Sequence, residues 1–159
     1  EPNLFRWDLI DNWIASEAAK GKTVGFAVNT YKGSCCGGDV TPAWVYQQHP
    51  EAHIFCSDYS VPKYWDPAYQ NAYRDFMAAL AARYDGDPRV SWIEISVGMY
   101  GETWPAEHSL DTCLSANGLT SDLWVQTVDK YLDFHAALFH RTALLLQMAP
   151  AFKNWYERK

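Results

Sequence analysis

The sequence has no long apolar run and no excess of positive charge, and these two absences argue against two classes of partner. No stretch reaches the ~18 consecutive apolar residues that suggest a membrane-spanning helix. Lysine and arginine number 13 against 19 aspartates and glutamates, so the formal net charge is -6. Because nucleic acids and anionic membranes reward a basic surface, we expect neither as the main partner.

Motifs that hold nucleotides or metals are also missing. Neither G-x-G-x-x-G nor G-x-x-x-x-G-K-[ST] occurs, and no C-x2-C pair is present. The segment HPEAH, residues 49–53, carries metal-ligating side chains, but its proline indicates a loop rather than a helix that would fix the two histidines on one face. We therefore predict no cofactor and no metal site.

Cysteines are few, and their sequence context indicates an oxidising compartment. They are Cys35, Cys36, Cys56 and Cys113, with the first two adjacent in the glycine-rich loop GSCCGG. We predict an extracellular or periplasmic protein with at least one disulfide, in which Cys56 pairs with Cys35 or Cys36. Four free thiols are the alternative. The first residues show no signal-peptide pattern, which a mature secreted protein would have lost.

Apolar residues at helical spacing alternate along the chain with short β-rich runs. The spacing predicts helices over 8–20, from Asp66–Pro67 to Asp85, and from Ser121 to about Leu138; strands are predicted over Thr23–Val28, Val90–Gly98 and Thr142–Pro150. This alternation predicts an α/β protein with parallel strands. Long loops, 29–66 and 99–120, follow the strands. In a (β/α)8 barrel and in an open doubly wound sheet, such loops build the active site at the carboxyl ends of the strands.

The loop after the second strand carries a candidate catalytic carboxyl, Glu102. It lies between Tyr100 and Trp104, whose rings would partly desolvate the carboxyl and raise its pKa, as a proton donor requires. Gly101 lets the backbone bend and a substrate approach. A solvated loop glutamate is the alternative. Glu94, on the strand itself, is interpreted as a paired structural charge.

Aromatic residues make up 16% of the chain, which is the most unusual feature of its composition. A tryptophan-rich core explains most of them, but a few can form flat platforms for sugar rings. We predict Trp44 and Trp104 as such platforms, with Tyr100 beside them. Asn29 and Tyr31, which follow the first strand, can hydrogen-bond to or stack on a sugar. A turn role is the alternative for Asn29.

Three segments between Phe5 and Pro150 carry a family resemblance: FRWDLIDNWIASEAAKGKTVGFAV, TPAW, and WDPAYQNAYRDFMAALAARYDGDPRVSWIEISVGMYGETW. They resemble the clan A glycoside hydrolases, especially the β-galactosidase-like (β/α)8 barrels. TPAW is similar to the T-P-x-W loop that walls the sugar site in that superfamily. The strand similar to Val90–Gly98 ends there in the acid/base glutamate, which matches Glu102. Gly101 stands where many members have asparagine.

The resemblance implies that residues 1–159 are a single partial catalytic domain, part of a (β/α)8 TIM barrel covering roughly strands 3 to 5 with their helices. A whole barrel needs ~250 residues. The family's nucleophile, at the end of the seventh strand, would then lie outside this chain, and the remainder of the barrel or a second chain would be required.

The expected function is that of a glycoside hydrolase which cleaves a β-linked poly- or oligosaccharide. Glu102 would protonate the leaving glycosidic oxygen and then activate water. One alternative is a carbohydrate-binding protein on the same fold, without turnover. Another is an open-sheet α/β protein complete at 159 residues.

Overall fold

The computed structural model describes residues 4–149 and Phe152. Its helices are α1 (Trp7–Ala18), α2 (Ala43–Gln48), α3 (Pro67–Tyr84), α4 (Asp111–Ala116) and α5 (Ser121–Leu138), with 3-10 turns at Pro50–Ala52 and His108–Leu110. Its strands are β1 (Val24–Phe26), β2 (His53–Cys56), β3 (Tyr59–Pro62), β4 (Val90–Glu94) and β5 (Ala143–Leu145). None of the helices in these residues has the length and apolarity to cross a membrane.

Three of the strands form a parallel sheet in the order β1-β4-β5. Val24 lies opposite Val90, and Trp92 lies opposite Ala143. The chain passes through α3 on the way from β1 to β4, and through α5 on the way from β4 to β5. Helices that alternate with parallel strands confirm the α/β class.

The prediction that the chain is part of a TIM barrel is wrong. The described residues form a three-stranded parallel sheet and a separate two-stranded antiparallel sheet, β2-β3, with His53 opposite Pro62 and Cys56 opposite Tyr59. This hairpin lies within the segment 29–66, which was expected to be a loop. Within the described residues β1 and β5 each pair with β4 alone, so the parallel sheet is open at both edges. The alternation of helices and strands does not distinguish the two architectures.

The core lies between the parallel sheet and the helices α3 and α5. The fully buried side chains of α3 include Tyr69, Met77 and Leu80. Tyr73 on α3 meets Tyr131 on α5 with ring centroids 5.3 Å apart. The start of α3 follows the prediction: Pro67 occupies the first turn, and the Asp66 side chain accepts hydrogen bonds from the next backbone N–H groups.

One carboxylate ties the end of α3 to the start of β5. Asp85 accepts hydrogen bonds from the backbone N–H groups of His140, Arg141 and Thr142, at 3.1, 3.0 and 2.8 Å. Burial opposes the ionisation of Asp85, but these bonds outweigh it, and the pKa of Asp85 lies below its usual value. The edge strand β5 is thus anchored at its beginning.

Two disulfides are present, Cys35–Cys36 and Cys56–Cys113. At least one disulfide was expected, but the pairing of Cys56 with Cys35 or Cys36 is wrong. Cys56 ends β2 beside α4, which carries Cys113, and their Cα atoms lie 5.7 Å apart. Cys35 lies in a different loop, against Tyr100. The pairing therefore follows from how the hairpin packs on α4, which sequence spacing does not reveal.

Candidate functional site

Four polar side chains gather at the carboxyl edge of the parallel sheet. Glu94 is the last residue of β4, Asn29 follows β1, and Gln147 follows β5. The loop after β4 returns to this edge and brings Glu102 to Gln147, whose Nε2 donates to Glu102 Oε1 at 2.6 Å. Because parallel strands present their carboxyl ends at one edge, residues far apart in sequence meet here.

Gly101 lies at the centre of this group. Its φ is 86°, in the left-handed region, and the turn is closed by hydrogen bonds from Gly101 N to Gly98 O and from Glu102 N to Met99 O, both 3.0 Å. A β carbon on Gly101 would fall closer than 3.0 Å to Glu94 Oε1 and Asn29 Oδ1. The backbone of the turn therefore lies directly against both oxygens, and only glycine fits there.

Glu94 is a buried carboxyl without an ionic partner. It is 6% exposed, and its Oε1 has no hydrogen-bond partner. Burial, and then the negative charge of nearby Glu102, raise the pKa of Glu94. The ion pairs found among the described residues do not include it. The interpretation of Glu94 as a paired structural charge is wrong, because its charged neighbour has the same sign.

The two aromatic residues beside Glu102 differ in their surroundings. Tyr100 is 37% exposed and, like Gly101, has a positive φ of 58°. Trp104 is partly buried, with its ring centroid 4.3 Å from that of His108. Its carbonyl oxygen accepts from Met99 N at 2.7 Å and so helps to close the turn. Tyr100 is the more accessible of the two rings that were predicted to contact a sugar.

Asn29 and Trp44 line a different space, a cavity of about 520 Å³ between α1, α2 and α3. Its walls are mainly aromatic and aliphatic, and they include Trp7 and Phe76. Glu102, Tyr100 and Trp104 are not among its lining residues. The structure therefore separates Asn29 and Trp44, in the cavity, from Tyr100 and Trp104, beside Glu102. Asn29 lines the cavity while its Oδ1 lies against Gly101.

Tyr31 is not presented to a ligand. It is fully buried, and its hydroxyl donates to Glu107 Oε2 at 2.8 Å. Burial opposes ionisation of Glu107, but the hydrogen bonds that it accepts from Ser34 and Tyr31 outweigh it and lower the pKa of Glu107. Tyr31 therefore joins the loop after β1 to the loop that carries Glu102.

The Cys35–Cys36 disulfide lies beside Tyr100, next to the turn that carries Gly101 and Glu102. Both cysteines are exposed, and Cys35 Sγ lies 3.1 Å from Tyr100 Oη. The loop is closed on itself by hydrogen bonds from Lys32 N to Gly38 O, 2.8 Å, and from Gly38 N to Gly33 O, 2.9 Å. It forms one wall next to the turn that carries Glu102.

Sequence reasoning did not assign Gln147 or Ser96 to the site. Ser96 Oγ accepts from Val28 N at 3.2 Å and would lie 3.1 Å from a β carbon on Gly101. A signal for Ser96 existed, since it alternates with Glu94 in a run that is otherwise apolar. Gln147 has no comparable signal, because its role depends on how far β5 extends past Glu94. No cluster of three or more His, Cys, Asp or Glu residues suitable for a metal occurs in the described part of the chain.

Comparisons with protein-family models, with curated proteins and with solved structures found no match to this chain. The resemblance to clan A glycoside hydrolases therefore rests on the quoted sequence segments alone. Any function has to be argued from the chemistry of the site, because a fold does not by itself imply a function.

Proposed function

We propose that this chain is a glycoside hydrolase that acts on a β-linked poly- or oligosaccharide and uses Glu102 for proton transfer. The observation that carries the proposal is the position of Glu102 at the carboxyl edge of the parallel sheet, held by Gln147 and placed next to the buried carboxyl of Glu94. In α/β proteins with parallel strands, ligands and catalytic groups gather at the carboxyl ends of the strands, where Glu102 lies.

The proposed role of Glu102 follows from its contacts. The Gln147 amide donates to Oε1, and in the proposed mechanism Oε2 faces the substrate. Glu102 gives its proton to the leaving glycosidic oxygen and then takes a proton from the attacking water. Tyr100 and Trp104, on either side in the sequence, supply ring faces for the sugar. Hydrolysis needs a second carboxyl, and we do not assign that role to Glu94, which is 6% exposed beneath Gly101.

The cavity supports sugar binding beside the turn. Trp44 offers an indole face for the apolar side of a sugar ring, and Asn29 offers an amide to its hydroxyl groups. A mostly apolar pocket with a few placed polar groups is the usual form of a small-molecule site. The two disulfides favour an oxidising compartment, so we propose an extracellular or periplasmic location.

The test is hydrolysis of aryl β-glycosides and β-linked oligosaccharides by the wild-type chain and by Glu102→Gln. We expect a loss of about 10²–10⁴-fold on oligosaccharides, whose leaving groups need protonation, and a much smaller loss on aryl glycosides with acidic leaving groups. The matched control is Glu51→Gln, which changes an exposed glutamate on the 3-10 turn before β2 and should leave the rates unchanged. Equal rates for Glu102→Gln and wild type would refute the role of Glu102.

A carbohydrate-binding protein without turnover is the second candidate. The observation in its favour is that the aromatic cavity with Asn29 and Trp44 does not include Glu102 among its lining residues. Calorimetric titration with the same oligosaccharides separates the two functions. Saturable binding that Trp44→Ala weakens, with no hydrolysis, would establish the binding protein, while the absence of both binding and hydrolysis would refute both proposals.

A further inference from the structure

Two buried oxygens beneath Gly101 lack a hydrogen-bond donor. Glu94 Oε1 and Asn29 Oδ1 are both shielded from solvent, and neither has a hydrogen-bond partner. Both lie closer than 3.0 Å to the point where a β carbon on Gly101 would stand. A buried polar atom without a partner is destabilising, and two nearby acceptors without a proton between them repel each other.

A proton on Glu94 removes both defects at once. A protonated carboxyl is a donor as well as an acceptor, so the Glu94 hydroxyl can donate to Asn29 Oδ1. We infer that Glu94 is held as a neutral carboxylic acid which donates to Asn29 Oδ1 and thereby turns the amide N–H groups of Asn29 toward the cavity. Glu94 is then a positioning residue that acts through Asn29.

Burial and the charge of Glu102 favour the neutral form of Glu94, and none of the other groups named below carries a positive charge. The loop after β4 contributes Glu102, whose negative charge raises the pKa of Glu94. Helix α3 contributes Tyr73, which donates its hydroxyl to Ser96 O at 3.1 Å and whose pKa burial raises well above the usual value. Asn29, which follows β1, and Gln147, which follows β5, do not titrate. Among these groups no cation compensates an ionised Glu94.

Ionisation of Glu94 would break this arrangement. A carboxylate would face Asn29 Oδ1 as a second acceptor, so the amide would have to rotate and offer its N–H groups to Glu94 instead of the cavity. Because the folded-state pKa of Glu94 lies above its unfolded value, the folded chain holds this proton more tightly. The stability that Glu94 contributes is therefore fully present at low pH and is lost as the pH rises through the folded pKa.

The first experiment needs no ligand. Carboxyl ¹³C NMR of the full chain should show Glu94 titrating at higher pH than the exposed glutamates. The side-chain ¹H–¹⁵N signals of Asn29 should shift with the same midpoint. In Glu94→Gln the amide keeps a donor for Asn29 but cannot ionise, so the Asn29 signals should no longer move at that pH. Glu51→Gln, which removes an exposed carboxyl, should leave the Asn29 titration as in the wild type.

Two results would overturn the inference. A Glu94 that titrates with the exposed glutamates would show that it is not held neutral. An Asn29 signal that does not follow the Glu94 midpoint would show that the two side chains are not coupled. If Glu94→Gln prevents folding, the two signals of the wild-type chain still decide both points.

The consequence for a ligand rests on the proposed function and is tested separately, with lactose as the β-linked probe. Lactose should bind Glu94→Gln within about twofold of the wild-type affinity, and bind Asn29→Ala and Glu94→Leu about tenfold more weakly. Wild-type affinity should fall as the pH rises through the Glu94 titration, and that of Glu94→Gln should not. If lactose binds but Glu94→Leu retains its affinity, Glu94 does not position Asn29 for a sugar. If no β-linked sugar binds, the proposed function fails while the NMR result decides the Glu94–Asn29 contact.

Discussion

Removal of the Cys56–Cys113 disulfide should cost far more stability than removal of Cys35–Cys36. A disulfide stabilises a protein mainly by restricting the unfolded chain, and the effect grows with the length of chain between the two cysteines. Cys56 and Cys113 are separated by 57 positions, whereas Cys35 and Cys36 are neighbours. The loop-entropy relation gives about 4 kcal/mol at 25 °C for the first disulfide. For the Cys35–Cys36 disulfide, no loop of chain is closed, so the relation predicts almost no stabilisation.

The assay is equilibrium unfolding in urea under non-reducing conditions, with the wild type, Cys56→Ala/Cys113→Ala and Cys35→Ala/Cys36→Ala. The first double variant should lose about 4 kcal/mol of unfolding free energy, with a steeper dependence on urea because its unfolded chain exposes more surface. The second should stay within about 1 kcal/mol of the wild type, since its cysteines are exposed. Equal losses in the two variants would refute the entropic argument, as would a loss below about 1 kcal/mol in Cys56→Ala/Cys113→Ala.

Two further predictions concern Gly101 and His135. In urea unfolding, Gly101→Ala should lose about 1–3 kcal/mol more unfolding free energy than Gly118→Ala. Both positions have a positive φ, but only Gly101 has close neighbours at its β-carbon position. Equal losses would contradict the crowding beneath the turn. Burial lowers the pKa of His135 to about 4. The stability of the wild type relative to His135→Phe should therefore be greatest above pH 6.5 and fall by about 3 kcal/mol as the pH drops to 4. A difference in stability that does not vary with pH would show that His135 does not titrate in this way.

The helices were the most predictable part of the fold. For α3, Asp66 and Pro67 mark the start, and the spacing of Tyr69, Tyr73 and Met77 marks the buried face. Strand lengths were less predictable. The ladder of β4 stops at Glu94 although residues 95–99 are all buried, because the backbone from Val97 to Met99 bonds to the returning loop instead. Burial alone therefore does not show where strand pairing ends.

The hairpin β2-β3 was missed because the whole segment 29–66 was interpreted as a loop. Ile54 and Cys56 are buried while Phe55 between them is exposed, which is the alternation of a half-buried strand. Pro62 is the last residue of β3, where a proline costs little. A closer reading of the alternation would have found the hairpin. The choice between an open sheet and a barrel could not be made in this way, since both have the same order of elements.

For the candidate site, the location of Glu102 after a buried strand followed from the sequence. Its neighbours did not. Glu94 and Asn29 meet only because Gly101 folds back over both of them, and that contact depends on a positive φ that many glycines in the chain share. The burial of Tyr31 was equally hidden, because its partner Glu107 lies 76 positions along the chain.

The start of β5 depends on the three hydrogen bonds that Asp85 accepts, so β5 is the part of the sheet that we expect to open first. Strand β5 pairs only with β4 among the described strands, and its start is held by this carboxylate together with the Thr142 hydroxyl, which accepts from Gly86 N at 2.8 Å. Loss of the Asp85 charge would weaken the attachment of the segment before β5 while β1, β4 and the hairpin kept their own pairings. Amide hydrogens of β5 should then exchange with solvent through a local fluctuation rather than global unfolding. Because Gln147 follows β5, each such opening would also release Glu102 from the one side-chain hydrogen bond that it makes among the described residues.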